Sequence, residues 1–154
     1  MSINLNGNNT STYSSSITAA SATFAGPVAI GGTDAAHTIR DYERGTWTPK
    51  DKNGNNFFTF DTATYVKIGD LVFISFDITA TASANGNEVT NLPFEALVNE
   101  QGGNFCFYNG LTTTTASTGG HTNFTKIVLY SGNTPVDLTN GDRLIMSGTY
   151  ITND

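Results

Sequence analysis

The chain has 154 residues, a net charge of −6 and only seven basic residues, which are scattered along it. A phosphate-binding face needs grouped Lys and Arg, so nucleic acid is not an expected partner, and neither is an anionic membrane surface. Charged residues are 13% of the chain, against about 25% in an average soluble domain, and the balance of Thr, Asn, Gly and Ser suits turn-rich β structure better than a charge-rich disordered tail.

Residues 1–40 read as an N-terminal arm. Its first 33 residues carry no charged side chain. They hold only isolated apolar residues: Ile3, Leu5, Tyr13, Ile17, Phe24, Val28 and Ile30. That is too little apolar surface to offset the backbone entropy of ordering the segment. The arm is therefore expected either to be disordered or to order against copies of itself or a larger assembly. Ala22–Phe24 and Val28–Ile30 look like short strands around Gly26–Pro27, too short to be stable alone. The N-terminus lacks a basic n-region and an apolar h-region, so no secretory signal is expected. No apolar run approaches the ~18 residues of a membrane span. Synthesis in a cytoplasm and no membrane insertion are the expectations.

Charges begin at Asp34, and residues 41–49 form a junction to a domain expected over residues 50–154. The clearest strand is Leu71–Thr81. Val72, Ile74, Phe76, Ile78 and Ala80 share one face, and Ser75, Asp77, Thr79 and Thr81 share the other. Gly69–Asp70 is a turn dipeptide that makes 62–81 a hairpin. Asn85–Gly86 is a tight-turn signal linking that strand to Glu88–Leu92. Further strands are expected at 103–109, 123–130 and 143–152, with turns at Gly102–Gly103, Gly132–Asn133 and Asn140–Gly141. Phe94–Glu100 has room for one helical turn at most. Turn signals at this spacing predict an all-β fold: an antiparallel sandwich, jelly-roll-like, behind an extended, strand-containing arm. The uncharged stretch Gly110–Thr125 reads either as a long surface hairpin or as a recognition loop. Its candidate contact residues are Thr112, Thr113, Thr114, Thr115, His121 and Asn123, whose hydroxyl, ring and amide groups suit glycans.

Chemistry-bearing patterns are sparse. Cys106 lies in the apolar run Phe105–Tyr108 and reads as a small buried hydrophobe; as the single cysteine it excludes an intrachain disulfide. One Cys with the distant His37 and His121 does not make a zinc ligand set. There is no G-x-S-x-G elbow. Asp61, Asp70, Asp77, Glu88, Glu95 and Glu100 could pair in three dimensions for glycosidic chemistry, and the sequence does not decide it. Asp51-Lys-Asn53-Gly54-Asn55 resembles the start of a calcium loop, but Thr62 stands where the twelfth-position glutamate belongs, so it reads as a turn. No enzyme activity, cofactor or metal is expected.

The run Asp41-Tyr42-Glu43-Arg44-Gly45-Thr46-Trp47-Thr48-Pro49 resembles a D-Y-E-x-G-T-W-T-P signature of tail fibres and other virion proteins of tailed bacteriophages. Tyr65-Val-Lys67-Ile68-Gly69-Asp-Leu-Val72 resembles their Y-x-K-I-G-x-x-V hairpin. Asn91-Leu92-Pro93-Phe94 resembles their N-L-P-F turn, and residues 22–32 resemble the strand–turn repeats that precede the signature. The likeness covers about residues 22–94. It implies a β-rich, usually homotrimeric, non-catalytic module displayed on a virus particle. Within it Trp47 and Tyr65 would pack the core, Gly45 and Gly69 would make turns, and Asp41 and Glu43 would cap or pair at the junction, with Tyr42, Pro93 and Phe94 completing the motif.

The expectation is thus a structural virion component: a short trimeric fibre or knob whose partners are its own copies, other tail or capsid proteins and host surface polysaccharide. Two alternatives stand beside it, a capsid decoration protein with no receptor role and a free carbohydrate-binding module.

Overall fold

The computed structural model describes residues 27–29, 38–39, 41–82, 86–97, 99–101, 106–110 and 118–152. Its elements, in chain order, are β1 (Val28–Ala29), β2 (Thr38–Ile39), β3 (Tyr42–Thr46), β4 (Phe58–Ile68), β5 (Leu71–Ala80), β6 (Glu88–Thr90), β7 (Asn99–Gln101), β8 (Cys106–Gly110), β9 (Thr118–Asn123), β10 (Lys126–Ser131), β11 (Thr134–Pro135) and β12 (Arg143–Ile151). All described pairings are antiparallel, and no described residue is helical.

One five-stranded sheet runs β3-β4-β5-β12-β8. A second runs β11-β10-β9-β7, with β6 also paired to β10. Their inner faces share one core, so the fold is an all-β sandwich. The period-2 pattern predicted for β5 is the observed one: Val72, Ile74, Phe76, Ile78 and Ala80 are all buried. β12 alternates in step beside it, burying Leu144, Met146 and Tyr150. Val89, Ile127 and Leu129 cover this layer from the second sheet, and Val136 and Leu138 close its end. Trp47 meets Phe76 edge-on, with ring centroids 5.6 Å apart.

Several details differ from expectation. The stretch read as a junction supplies β3, the edge strand of the first sheet, which pairs with β4 over Tyr42–Thr46. Gly45 makes no turn: it lies within β3 opposite Tyr65. The strand before Gly69 is longer than predicted, starting at Phe58 and interrupted by a bulge between Phe60 and Thr62. Gly86 has φ of +117°, but the strands on either side of that bend do not pair. β5 stays in the first sheet while β6 crosses to β10 in the second. The strand expected at 123–130 is split, because Phe124 and Thr125 form a two-residue turn between β9 and β10. Phe94–Glu100 contains no helical turn among its described residues; Ala96 bridges to Thr152 instead. Val28 pairs through β1 with Ile39 of β2. The other arm residues named above, Ile3, Leu5, Tyr13, Ile17, Phe24 and Ile30, lie outside the described residues, as do the predicted strand Ala22–Phe24 and the turn at Gly102–Gly103.

Candidate functional site

The three signature segments meet at one corner of the sandwich. β3 and β4 are in register, so Glu43 stands opposite Lys67 and Gly45 opposite Tyr65. Lys67 points to the inner side, where its ammonium pairs with Asp41 at 2.8 Å and lies 5.0 Å from the centre of the Phe94 ring. Its side chain is only 4% exposed, against 46% for Asp41. Burying an ammonium is costly unless it is paired and hydrogen-bonded, and the carboxylate and the ring face supply that compensation. The Tyr65 hydroxyl donates to a Glu43 carboxylate oxygen. That hydrogen bond, with burial second, raises the Tyr65 pKa above its ordinary value. The Tyr65 ring also meets Phe94 edge-on at 5.3 Å. Phe94 is held in turn by Tyr150, whose hydroxyl donates to its carbonyl at 3.0 Å. Gly45 is the clearance in this arrangement: a Cβ there would sit 2.7 Å from Tyr65 Oη. Gly69, with φ of +56°, makes the β4–β5 turn as expected, and its N–H donates to the Asp41 carbonyl. Pro93 is half-buried beside Phe94, and Tyr42 is exposed.

Two surfaces outside this corner can meet a partner. The first is the outer face of the β3-β4-β5-β12 sheet. The registers place Tyr42, Ile68, Leu71 and Ile151 directly opposite one another in a single row across four strands. Phe73 adds to it from the next row, and all five are exposed. Scattered exposed apolar residues are ordinary, whereas a contiguous row marks a surface suited to association.

The second is an open groove of about 660 Å³ where three segments converge. It is lined by Lys50, Lys52 and Gly54 from the β3–β4 connection, by Glu88, Thr90, Asn91 and Leu92, and by Asn123 to Lys126 at the β9–β10 turn. Asp51 shapes the first segment: its Oδ1 accepts the N–H groups of Asn53 at 3.0 Å and Asn55 at 2.6 Å, so the Asp51–Asn55 stretch is a turn organised by its own carboxylate. Lys50 and Thr90 exchange backbone hydrogen bonds of 3.2 and 2.8 Å, joining the first segment to the second. The Leu92 N–H donates to the Thr125 carbonyl and the Ala96 N–H to the Phe124 carbonyl, joining the second to the third.

Of the six predicted contact residues, Thr112, Thr113, Thr114 and Thr115 lie outside the described residues. His121 and Asn123 are not on a loop but in β9. His121 stacks on Tyr130 at 5.4 Å, while Asn123 lines the groove, so the two are put to different uses. The residues that build the groove around Asn123 carry no sequence signal, because Lys50 and Lys126 are far apart in the chain and only the sheet brings them together.

Among the described residues no group of three or more His, Cys, Asp or Glu is placed to hold a metal ion, and no helix is long and apolar enough to cross a membrane. The remaining ion pairs are structural in form. Lys126 reaches Glu88 at 2.9 Å, and Arg143 grips both oxygens of Asp77, holding that carboxyl below its ordinary pKa. Compared with known protein families, curated proteins and solved structures, the chain has no significant match.

Proposed function

We propose that this protein is a non-enzymatic structural component of a tailed-phage virion, a short trimeric fibre or knob displayed on the particle and contacting host surface glycans. The observation that carries the reading is the meeting of the three signature segments around Lys67 and Phe94. Residues drawn from positions 41 to 94 interlock by ion pair, hydrogen bond and ring contact, which supports a structural role for the motif residues. The apolar row across the outer sheet face supports association. The Tyr42–Ile68–Leu71–Ile151 row carries no charge, and Arg44 is the one charged residue in the neighbouring row that holds Phe73, so copies of a chain with net charge −6 can approach there with little repulsion.

The test has two arms. Light scattering of the purified chain is expected to give the mass of a trimer, and the paired substitution of Leu71→Ser with Phe73→Ser is expected to shift it toward monomer. Antibody labelling of virions by electron microscopy then locates it. Label on the tail supports the fibre reading, and label on the shell assigns it to capsid decoration. A monomer at high concentration together with unlabelled particles would refute the proposal.

A further inference from the structure

The geometry points to the groove between Lys50, Asn91 and Phe124 as a binding site for an acidic oligosaccharide, with a sugar ring laid on Phe124 and a sugar carboxylate met by Lys50 and Lys52. This deepens the glycan-contact part of the proposed function, and it stands or falls without the trimer or the virion.

Phe124 is the first residue of the two-residue β9–β10 turn and has φ of +52°. Gly, Asn or Asp normally fill such a position, and a bulky residue there is a rare and strained choice. Asn91, on the opposite wall, has φ of +68°, and no other described residue apart from glycine has positive φ. Both line the same groove. Strain of this kind persists where the surrounding structure enforces it, and it clusters at binding sites. Here the enforcement is the hydrogen bond from the Ala96 N–H to the Phe124 carbonyl at 2.8 Å, and the bond from Asn91 Nδ2 to the Thr48 carbonyl at 2.8 Å. The outcome is a large aromatic side chain set 45% exposed on the groove wall rather than in the core.

Charge selects the ligand class. Three of the seven basic residues, Lys50, Lys52 and Lys126, line this one groove in an acidic protein, with Glu88 as the only acid among its lining residues. Glu88 is already committed to Lys126. Lys50 and Lys52 make no ion pair with any described residue, so their charges are available. Lys52 is also positioned: its stem runs over Gly86, where an added Cβ would come within 2.8 Å of Lys52 Cδ. The rest of the lining is hydroxyl and amide, from Thr90, Asn91, Asn123 and Thr125. Such groups exchange hydrogen bonds with sugar hydroxyls, an aromatic face stacks on the apolar face of a sugar ring, and an ammonium makes charge-assisted bonds to a carboxylate. A nucleic acid strand would need a longer basic track than two free lysines provide in a chain of this net charge.

The experiment is calorimetric titration of the intact protein with a galacturonate hexamer, its carboxyl-reduced neutral counterpart, and a glutamate hexamer. Binding of the galacturonate at least about tenfold tighter than either control is expected, a ratio of 1.4 kcal/mol. Lys52→Gln and Phe124→Gly are each expected to weaken it by about fivefold or more, while Arg44→Gln, which removes one charge from the outer face of β3, changes it by less than about twofold. Gly suits the backbone of residue 124, so that variant keeps its fold, checked by circular dichroism, and Lys52→Gln alters only an exposed side chain. Equal binding of the acidic and neutral sugars, equal binding of the glutamate hexamer, no binding at all, or full affinity in both groove variants would each overturn the inference. None of these results bears on solution mass or virion labelling, so the two proposals fail separately.

Discussion

Gly45 offers the sharpest test of how the signature corner is built. A methyl group added there would lie 2.7 Å from Tyr65 Oη and 2.9 Å from both Cε1 and Cζ. Backbone pairing fixes β3 against β4, so it is the Tyr65 ring that must swing away. Swinging breaks its hydrogen bond to the Glu43 carboxylate, about 0.5–1 kcal/mol for a solvent-exposed charge-assisted hydrogen bond. It also disrupts the edge contact with Phe94, about 0.5–1.5 kcal/mol. Ala is intrinsically better than Gly within a strand, which returns about 0.5–1 kcal/mol. Gly45→Ala is therefore expected to destabilise the protein by about 1 kcal/mol in urea unfolding at fixed protein concentration. In a Tyr65→Ala background the obstacle is gone, and the same substitution is expected to stabilise by about 0.5 kcal/mol. The inversion of sign is the signature. An equal cost in both backgrounds would mean that Gly45 serves the strand backbone and that the clearance argument is mistaken.

Leu144→Ala removes a fully buried side chain from the centre of β12 and is expected to cost about 2–5 kcal/mol, read from the shift in urea midpoint. Asp41→Asn removes the carboxylate charge 2.8 Å from the buried Lys67 ammonium and is expected to cost about 2 kcal/mol, whereas Lys67→Met, which removes the buried charge itself, is expected to fall within about 1 kcal/mol of wild type; both are read from the same unfolding curves. The Arg143 hydrogen bonds lower the pKa of Asp77 in the folded state below about 3.9, its unfolded value. The stability this pair contributes is then complete above the unfolded pKa and is lost as pH falls through the folded one. Asp77→Asn should differ from wild type at neutral pH, and the two unfolding midpoints should converge once the solution is acidified below the folded pKa.

How legible each element was depended on how local its cause is. β5 follows from period-2 alternation, clearest from Ile74 on, where Ile74, Phe76, Ile78 and Ala80 are buried and Ser75, Asp77 and Thr79 take the other face. The glycine turns at 69, 132 and 141 are legible for a similar reason: each takes positive φ, a property of the residue itself. The Asn85–Gly86 bend was visible, but no local feature says which sheet the chain enters afterwards, and β6 crosses over. The β9–β10 turn was invisible because Phe124–Thr125 lacks every residue type that normally marks one. Asn123 was singled out for its amide and does line the groove, yet its neighbours there come from three separate segments. The Lys67 end of β4 reverses ordinary patterning: Tyr65 and Lys67 face inward and Ile68 faces out. The Asp41 carboxylate and the covering Phe94, supplied from beyond the next two strands, together offset that burial.

The charges on β3 reach further than the corner they stabilise. β3 ends its sheet, and the chain from Asp41 to Arg44 sets three charged side chains, Asp41, Glu43 and Arg44, along or beside that outermost strand. A foreign strand docking alongside would have to seat its own backbone next to them, a classic deterrent to ribbon-like polymerisation. At this edge, ladder-like growth from copy to copy is therefore disfavoured, while the apolar outer face of the same sheet is left uncovered by those charges.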